Sequence, residues 1–142
     1  MIELQIEGLD RVKAEIKRIG KEAEQGVANA VKATALEVIS DVKKRIQRGP
    51  KSGRTYTRGN VSHTASAPGQ APATDTGALA SSAYFTQSSK LSATIGSRLA
   101  YSAYLEFGTV RIKPRPSWTP AVEAAAPKLQ KRIETAIRKA AK

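Results

Sequence analysis

The chain has 142 residues and no cysteine, and its 24 lysine and arginine residues against 12 aspartate and glutamate residues give a formal net charge of +12. This length suits a single domain over 1–142, and the lack of cysteine excludes disulfides, zinc-thiolate sites and thiol nucleophiles. No apolar run approaches the roughly 20 residues of a membrane span, and the start lacks a signal-peptide pattern, so we expect a soluble protein made in the cytoplasm, with no membrane partner.

The first predicted elements are a short strand and a long helix. Ile2, Leu4 and Ile6 alternate with polar residues, which is the period of a strand, and Gly8 ends it. Apolar residues then recur mostly at steps of three and four, as they do on one face of a helix: Leu9, Val12, Ile16, Ile19, Ala23, Val27, Val31, Val38, Val42 and Ile46. This stripe is either an ordinary core face or an oligomer interface.

The predicted helix extends over 10–48. Asp10 is a candidate N-cap, and Gly49-Pro50 is a stop signal because proline cannot continue a helix. A continuous helix over 10–48 would be about 57 Å long at 1.5 Å per residue, so we expect a bend near Gly20 or Gly26.

Residues 49–78 differ in composition from the rest of the chain. The segment, GPKSGRTYTRGNVSHTASAPGQAPATDTGA, is rich in Gly, Pro, Ser and Thr and has almost no large aliphatic residues. Such a segment buries too little apolar area to offset its ordering entropy, so we expect a long, mobile, basic loop unless a partner orders it. Arg54, Tyr56 and Arg58 are candidates to follow a phosphate backbone or to dock on a neighbouring subunit.

A turn and a β-hairpin are predicted after this segment. Asp75 is expected to accept hydrogen bonds from the backbone amides that follow it and so to cap a turn. Residues 83–86 and 91–96 have the composition of two strands, and 87–90 would join them as a hairpin.

The last predicted element is a helix that runs to the end of the chain. Thr119 is its expected N-cap, Pro120 is tolerated in its first turn, and Pro127 should kink it or delay its regular start. Together the elements predict an α+β fold in which the long, bent N-terminal helix and the C-terminal helix pack on a small antiparallel sheet.

The positive charge is concentrated in the later two thirds of the chain. Residues 1–48 hold ten basic and eight acidic groups, whereas 49–116 hold eight and two, and 117–142 hold six and two. The basic groups are scattered rather than grouped in one run. They are therefore consistent with a solvated face, with docking on an acidic protein, or with contact to DNA.

Residues 101–122, YSAYLEFGTVRIKPRPSWTPAV, hold four of the seven large aromatic residues: Tyr101, Tyr104, Phe107 and Trp118. Glu106 is an isolated acid in this basic region, and we expect it to pair with Arg111 or Arg115 or with backbone amides, and so to stabilise the turn. The aromatic residues form either a satellite hydrophobic cluster or an anchor for a partner subunit. The candidate partner contacts are Arg54, Tyr56, Arg58, Tyr101, Tyr104, Glu106, Phe107, Arg111, Arg115 and Trp118.

The sequence offers little support for catalysis or for a metal or cofactor site. The single histidine, His63, adjoins Ser62, and neighbouring side chains do not readily face each other, so a triad with Asp75 is not expected. Asp75 and Glu106 are the only acids between 42 and 122, too few for a carboxylate metal site there. We therefore expect a non-enzyme without cofactors.

Three strings resemble signatures of the HK97 gp10-like phage proteins. They are Ala-Pro-Ala-Thr-Asp-Thr-Gly-Ala-Leu at 71–79, Tyr-Ser-Ala-Tyr-Leu-Glu-Phe-Gly-Thr at 101–109, and Arg-Pro-Ser-Trp-Thr-Pro-Ala-Val at 115–122. The resemblance extends in order over nearly the whole chain, including the early helix and the basic loop. Each string alone is weak, but three in the same order are fairly specific.

The resemblance implies a structural protein of a long-tailed phage or prophage that completes the tail or neck and helps to join tail to head. It implies a virion protein, made in the bacterial host, that forms a ring with copies of itself, for which a hexamer is one option. The other implied partners are tail-terminator, tail-tube or connector proteins, with DNA as a passing contact. The alternative function is a basic nucleic-acid-binding protein that contacts phosphates non-specifically.

Overall fold

The predicted N-terminal strand and broken helix are both present in the computed structural model, which describes residues 2–5 and 10–142. Strand β1 spans Ile2–Gln5, helix α1 spans Asp10–Ile19 and helix α2 spans Lys21–Gln47. The chain breaks at Gly20, whose φ of 99° is strained for any residue with a Cβ. The following predictions lie outside what is described: Ile6, Gly8, Leu9, and the side chains of Leu4, Ile16 and Ile19.

The segment predicted to be a loop contains a second hairpin. Strands β2, Thr55–Arg58, and β3, Val61–Thr64, pair antiparallel. The pairing continues beyond them, since the Gly53 amide donates to the Ala65 carbonyl at 2.8 Å. The expectation of a structureless loop is therefore wrong over 55–64. Backbone hydrogen bonds order this stretch although it has few apolar side chains to bury.

The predicted hairpin after residue 82 is confirmed. Helix α3 spans Ala78–Ser81, strand β4 spans Ala83–Ser89 and strand β5 spans Ser92–Ser97. Strand β4 is longer than predicted, β5 is shifted by one residue, and the turn between them is shorter. With β1 they form a three-stranded antiparallel sheet in the order β1-β5-β4.

Two further helices complete the chain: α4, Tyr101–Phe107, and α5, Trp118–Ala140. Helix α5 begins one residue before its predicted N-cap, Thr119, so that prediction is wrong and Ser117 is the N-cap residue. Pro127 lies inside α5 and does not delay its start.

Helix α2 is central to the packing. It contacts α5 along one side and β4 and β5 along another, which confirms the α+β fold. Its buried face contains the predicted stripe from Ala23 onward, together with Ala30, Thr34, Ala35 and Ile39. Within the described residues, no helix has the length and apolar character needed to cross a membrane.

Helices α2 and α5 approach closely at Gly26, where a Cβ would lie 2.9 Å from the Cβ of Ala136. We expect Gly26→Ala to lower the free energy of unfolding by about 1 kcal/mol, because overpacking of about 1–3 kcal/mol exceeds the gain in helix propensity. In an Ala136→Gly background the space is open, and the same change should stabilise the protein. Urea unfolding of the parent protein, the two single variants and the double variant tests this, and stabilisation by Gly26→Ala alone would contradict the close packing.

A charged cluster joins the same two helices. The Glu37 carboxylate on α2 accepts hydrogen bonds from Lys128 and, at 2.7 Å, from Arg132 on α5. These bonds hold the pKa of Glu37 below its usual value of 4.5. Arg132 also donates to the Thr34 hydroxyl at 2.8 Å.

The lowered pKa of Glu37 predicts a pH-dependent contribution to stability. A carboxyl whose pKa is lower in the folded state stabilises the fold above its unfolded pKa, and this contribution is lost as pH falls through the folded value. We therefore expect Glu37→Gln to lower the melting temperature at pH 7, with the difference from the parent protein shrinking below about pH 4.5. Glu134→Gln, which removes an exposed carboxylate from α5, is the control. A difference that does not change with pH would contradict the ion pair.

Candidate interaction surface

The Glu106 carboxylate lies at the amino end of α5. It accepts from the amides of Ser117 at 2.8 Å, Trp118 at 3.0 Å and Thr119 at 2.7 Å. The next residue, Pro120, has no N–H, so Glu106 satisfies all the amides from the N-cap to the last before the proline. The prediction that Glu106 binds backbone amides is confirmed, and no ion pair joins it to another described residue.

Two of the candidate partner contacts are buried within the chain itself. Glu106 is 4% exposed and Trp118 is 2% exposed, as part of the main core. Their side chains therefore cannot touch a partner while this fold is intact. Their role in this chain is to attach α4 to α5.

Helix α4 instead presents apolar side chains to solvent. Tyr104 is 55% exposed and Phe107 is 67% exposed, and Val110 in the following turn is fully exposed. Tyr101 and Ile112 are partly exposed on either side of them. We call these five residues the aromatic patch. Since they lie in water rather than against one another in a core, the satellite-cluster interpretation does not hold for them.

The turn after α4 holds the patch in place. Gly108 has a φ of 76°, and a Cβ there would lie 2.7 Å from the Ile112 carbonyl oxygen. The Thr109 amide donates to that carbonyl at 2.8 Å, and the Thr109 hydroxyl accepts from the Ile112 amide at 3.1 Å. Arg111, on this turn, is exposed. Hydrogen bonds within the turn therefore fix its conformation, and Glu106 fixes α4 to the start of α5.

A cleft of about 410 Å³ lies beside the patch, between the β2–β3 hairpin, the segment 65–79 and α4. We call it the arginine cleft; its lining includes Tyr56, Arg58, His63, Ser66, Asp75, Tyr101, Leu105 and Arg115. Tyr101 belongs to both the cleft and the aromatic patch, so the two are continuous.

One ion pair crosses this cleft, and a histidine lies beside it. Asp75 forms an ion pair with Arg58, and its other carboxylate oxygen lies 3.7 Å from Nδ1 of His63. The predicted capping role of Asp75 is therefore wrong; the Ala78 amide donates to the Thr76 hydroxyl at 3.4 Å instead. Ionic attraction to the hairpin outweighs the local turn preference.

The remaining candidates lie around the cleft or the patch. The Arg54 guanidinium stacks 5.4 Å from the centre of the Tyr56 ring. Arg115 donates from Nε to the Ser66 carbonyl at 3.2 Å, and its amide donates to the Leu105 carbonyl at 2.6 Å. The structure thus brings Tyr56, Arg58, Tyr101 and Arg115 together in one cleft, from segments up to about 60 residues apart.

His63, Ser66 and Asp75 line the cleft but were not among the candidate partner contacts chosen from the sequence. The alternation in Thr55–Arg58 and Val61–Thr64 around Gly59-Asn60 was the available hairpin signal, and it places His63 on one side of β3 and Ser62 on the other. The described residues contain no group of three or more His, Cys, Asp or Glu side chains placed to hold a metal ion.

One family model matches the chain: "Bacteriophage HK97-gp10, putative tail-component", over residues 6–108. The match covers more than two thirds of the 142 residues. It includes the first two strings of the sequence comparison up to Gly108, whereas the third, at 115–122, lies beyond it. No curated protein and no solved structure gives a significant match.

Proposed function

The chain belongs to the HK97 gp10-like family of phage tail components, and from that premise we propose that it completes the tail or neck of the virion and helps to join tail to head. We further propose that it acts as a subunit of a ring, through structural contacts rather than catalysis. The observation that carries the proposal is the aromatic patch. Large apolar side chains that are exposed together in one short segment, as here over 101–112, are typical of protein interfaces.

The net charge of +12 supports a second feature of the proposal. A basic surface is attracted to acidic neighbours, and such attraction accelerates docking and selects partners. The proposed acidic neighbours are tail-terminator, tail-tube or connector proteins, whereas contacts with other copies of the chain, which carry the same positive charge, depend on apolar burial. DNA that passes through the ring would be an incidental contact.

Deletion of the gene from the parent phage or prophage tests the joining role. We expect electron micrographs of the lysate to show DNA-filled heads beside unattached tails of normal or excessive length. Addition of the purified chain to this lysate should restore infectious particles. Normal particles from the deletion strain would overturn the proposal.

The competing function is non-specific binding to nucleic acid, which the same net charge favours. It predicts strong DNA affinity with a steep salt dependence, since each neutralised phosphate contributes about −0.9 to the slope of log K against log salt. The assembly role predicts association that survives salt, because apolar burial drives it. Titration of a duplex and sedimentation of the chain over the same range of salt concentrations separate the two functions.

A further inference from the structure

The arginine cleft has an excess of positive charge. Arg58 and Arg115 line it, and Asp75 is the one carboxylate among its lining residues. Asp75 is already paired with Arg58, with His63 close to its other oxygen. With His63 neutral, one cation therefore has no opposite charge in the cleft, and this cation is Arg115.

The Arg115 guanidinium is held in position but only partly satisfied. Its Nε donates to the Ser66 carbonyl at 3.2 Å, and its backbone amide donates to the Leu105 carbonyl. Neither Nη atom has a hydrogen-bond acceptor within residues 2–5 and 10–142. The two Nη atoms of Arg115 can therefore donate to the two oxygens of a carboxylate.

A buried serine in the cleft lining also lacks a hydrogen bond. Ser66 is 1% exposed, and its hydroxyl has no hydrogen-bond partner among the described residues. Buried hydroxyl groups are seldom left without a partner, so this one requires an explanation. Among the described residues, the cleft thus contains two groups with unused hydrogen-bonding capacity toward protein, the Ser66 hydroxyl and the Nη atoms of Arg115.

The surroundings of Arg115 favour a protein ligand over DNA. Tyr56 and Tyr101 lie in the cleft wall, and Tyr104 and Phe107 continue the apolar surface from Tyr101. Among the residues that line the cleft, Arg115 is the arginine without an acidic partner, and an arginine among aromatic residues is typical of the centre of a protein interface. A nucleic-acid groove instead places several cations along the phosphate backbone.

We infer that the arginine cleft binds an aspartate or glutamate side chain of a neighbouring virion protein other than this chain. The carboxylate pairs with the Nη donors of Arg115, while Tyr56 and Tyr101 cover the apolar stem of the ligand side chain. The aromatic patch then meets apolar residues that flank this acid. The inference rests on the proposed joining function and specifies the chemistry of the partner.

Charge reversal in the parent phage tests the inference. Arg115→Glu should reduce infectious particles at least about 30-fold, because removal of one partner of a buried charge pair weakens binding by that factor or more. The matched control is Arg138→Glu, an equal charge change at an exposed α5 residue outside the cleft lining, which should change the titre less than threefold. The melting temperature of each purified variant establishes that it folds, and Arg115→Gln replaces Arg115→Glu if the latter does not.

Suppressors of the Arg115→Glu defect identify the partner group. We expect them to replace an aspartate or glutamate of another virion protein by a neutral or basic residue. Suppressors confined to this chain would instead assign Arg115 a role in folding and overturn the inference. Loss of duplex DNA binding by Arg115→Glu, with binding to tails and heads unchanged, would assign the cleft to phosphate and also overturn it.

The two proposals fail in different ways. If the gene deletion leaves particles normal, the joining function is wrong. If the deletion prevents joining but Arg115→Glu and Arg138→Glu have equal titres, the joining function stands and the carboxylate inference alone is overturned.

Discussion

Replacement of Glu106 by alanine is expected to lower the free energy of unfolding by about 2–6 kcal/mol, because each of the two buried amides that it leaves without an acceptor costs about 1–3 kcal/mol. The change leaves three amides at the start of α5 without an acceptor, and Ser117 and Trp118 are only 3% and 2% exposed, so water reaches them poorly. It also removes a negative charge from the positive end of the helix dipole.

Tryptophan fluorescence provides the measurement for this prediction. Trp118 is the single tryptophan, and its own amide is bonded to Glu106, so its emission reports on this junction during urea unfolding. Glu123→Gln is the matched control, because it removes an exposed carboxylate near the same helix end and should change stability by less than about 0.5 kcal/mol. Equal stability of Glu106→Ala and Glu123→Gln would show that the three bonds contribute nothing.

The burial of Glu106 and Trp118 also changes how defects caused by substitution of these residues are interpreted. A failure of head–tail joining in a Glu106 or Trp118 variant would report on the fold of the chain, since both side chains are internal. Partner binding must be tested with exposed residues instead.

Phe107→Asp is expected to leave the fold intact but to reduce infectious particles about 100-fold. Phe107 is 67% exposed in the chain alone, so its replacement costs little folding free energy. At the centre of an interface the same residue would lose an apolar contact and bury an unpaired charge, a cost of about 2.7 kcal/mol or more, which corresponds to that factor.

The matched control is Val61→Asp, an equally charged replacement of an apolar residue that is 65% exposed on β3. Titres of the two variant phages should differ although both purified chains melt near the parent temperature. Equal titres would show that the aromatic patch takes no part in joining tail to head.

Periodic elements were predictable from the sequence because their side-chain spacing reflects the core directly. The stripe from Ala23 to Ile46 is buried, the helix breaks at Gly20, and the hairpin β4–β5 lies where β-branched and aromatic residues predicted it. The β2–β3 hairpin was missed because its side chains are mostly exposed polar groups, so a composition argument about burial could not detect a structure that backbone hydrogen bonds hold.

The site was predictable only in part. Clustering of aromatic residues indicated the region of α4. Glu106 has no other acidic residue between Asp75 and Glu123, which indicated that it has a specific partner. Burial could not be predicted, because Tyr104 and Trp118 are both large aromatics, yet one is 55% exposed and the other 2%. The proximity of Arg58 and Asp75 depends on a hairpin that was not expected, so the cleft could not be assembled from sequence spacing.

The pairing of α2 with α5 has a consequence for synthesis on the ribosome. The contacts that join them, such as Thr34 with Arg132 and Glu37 with Lys128, link residues 98 and 91 positions apart. At bacterial elongation rates the chain between the two helices takes about 4–14 s to emerge, and during this time the side of α2 that α5 covers remains exposed. We therefore expect a premature stop before α5 to produce insoluble protein, because this side of α2 would then stay exposed.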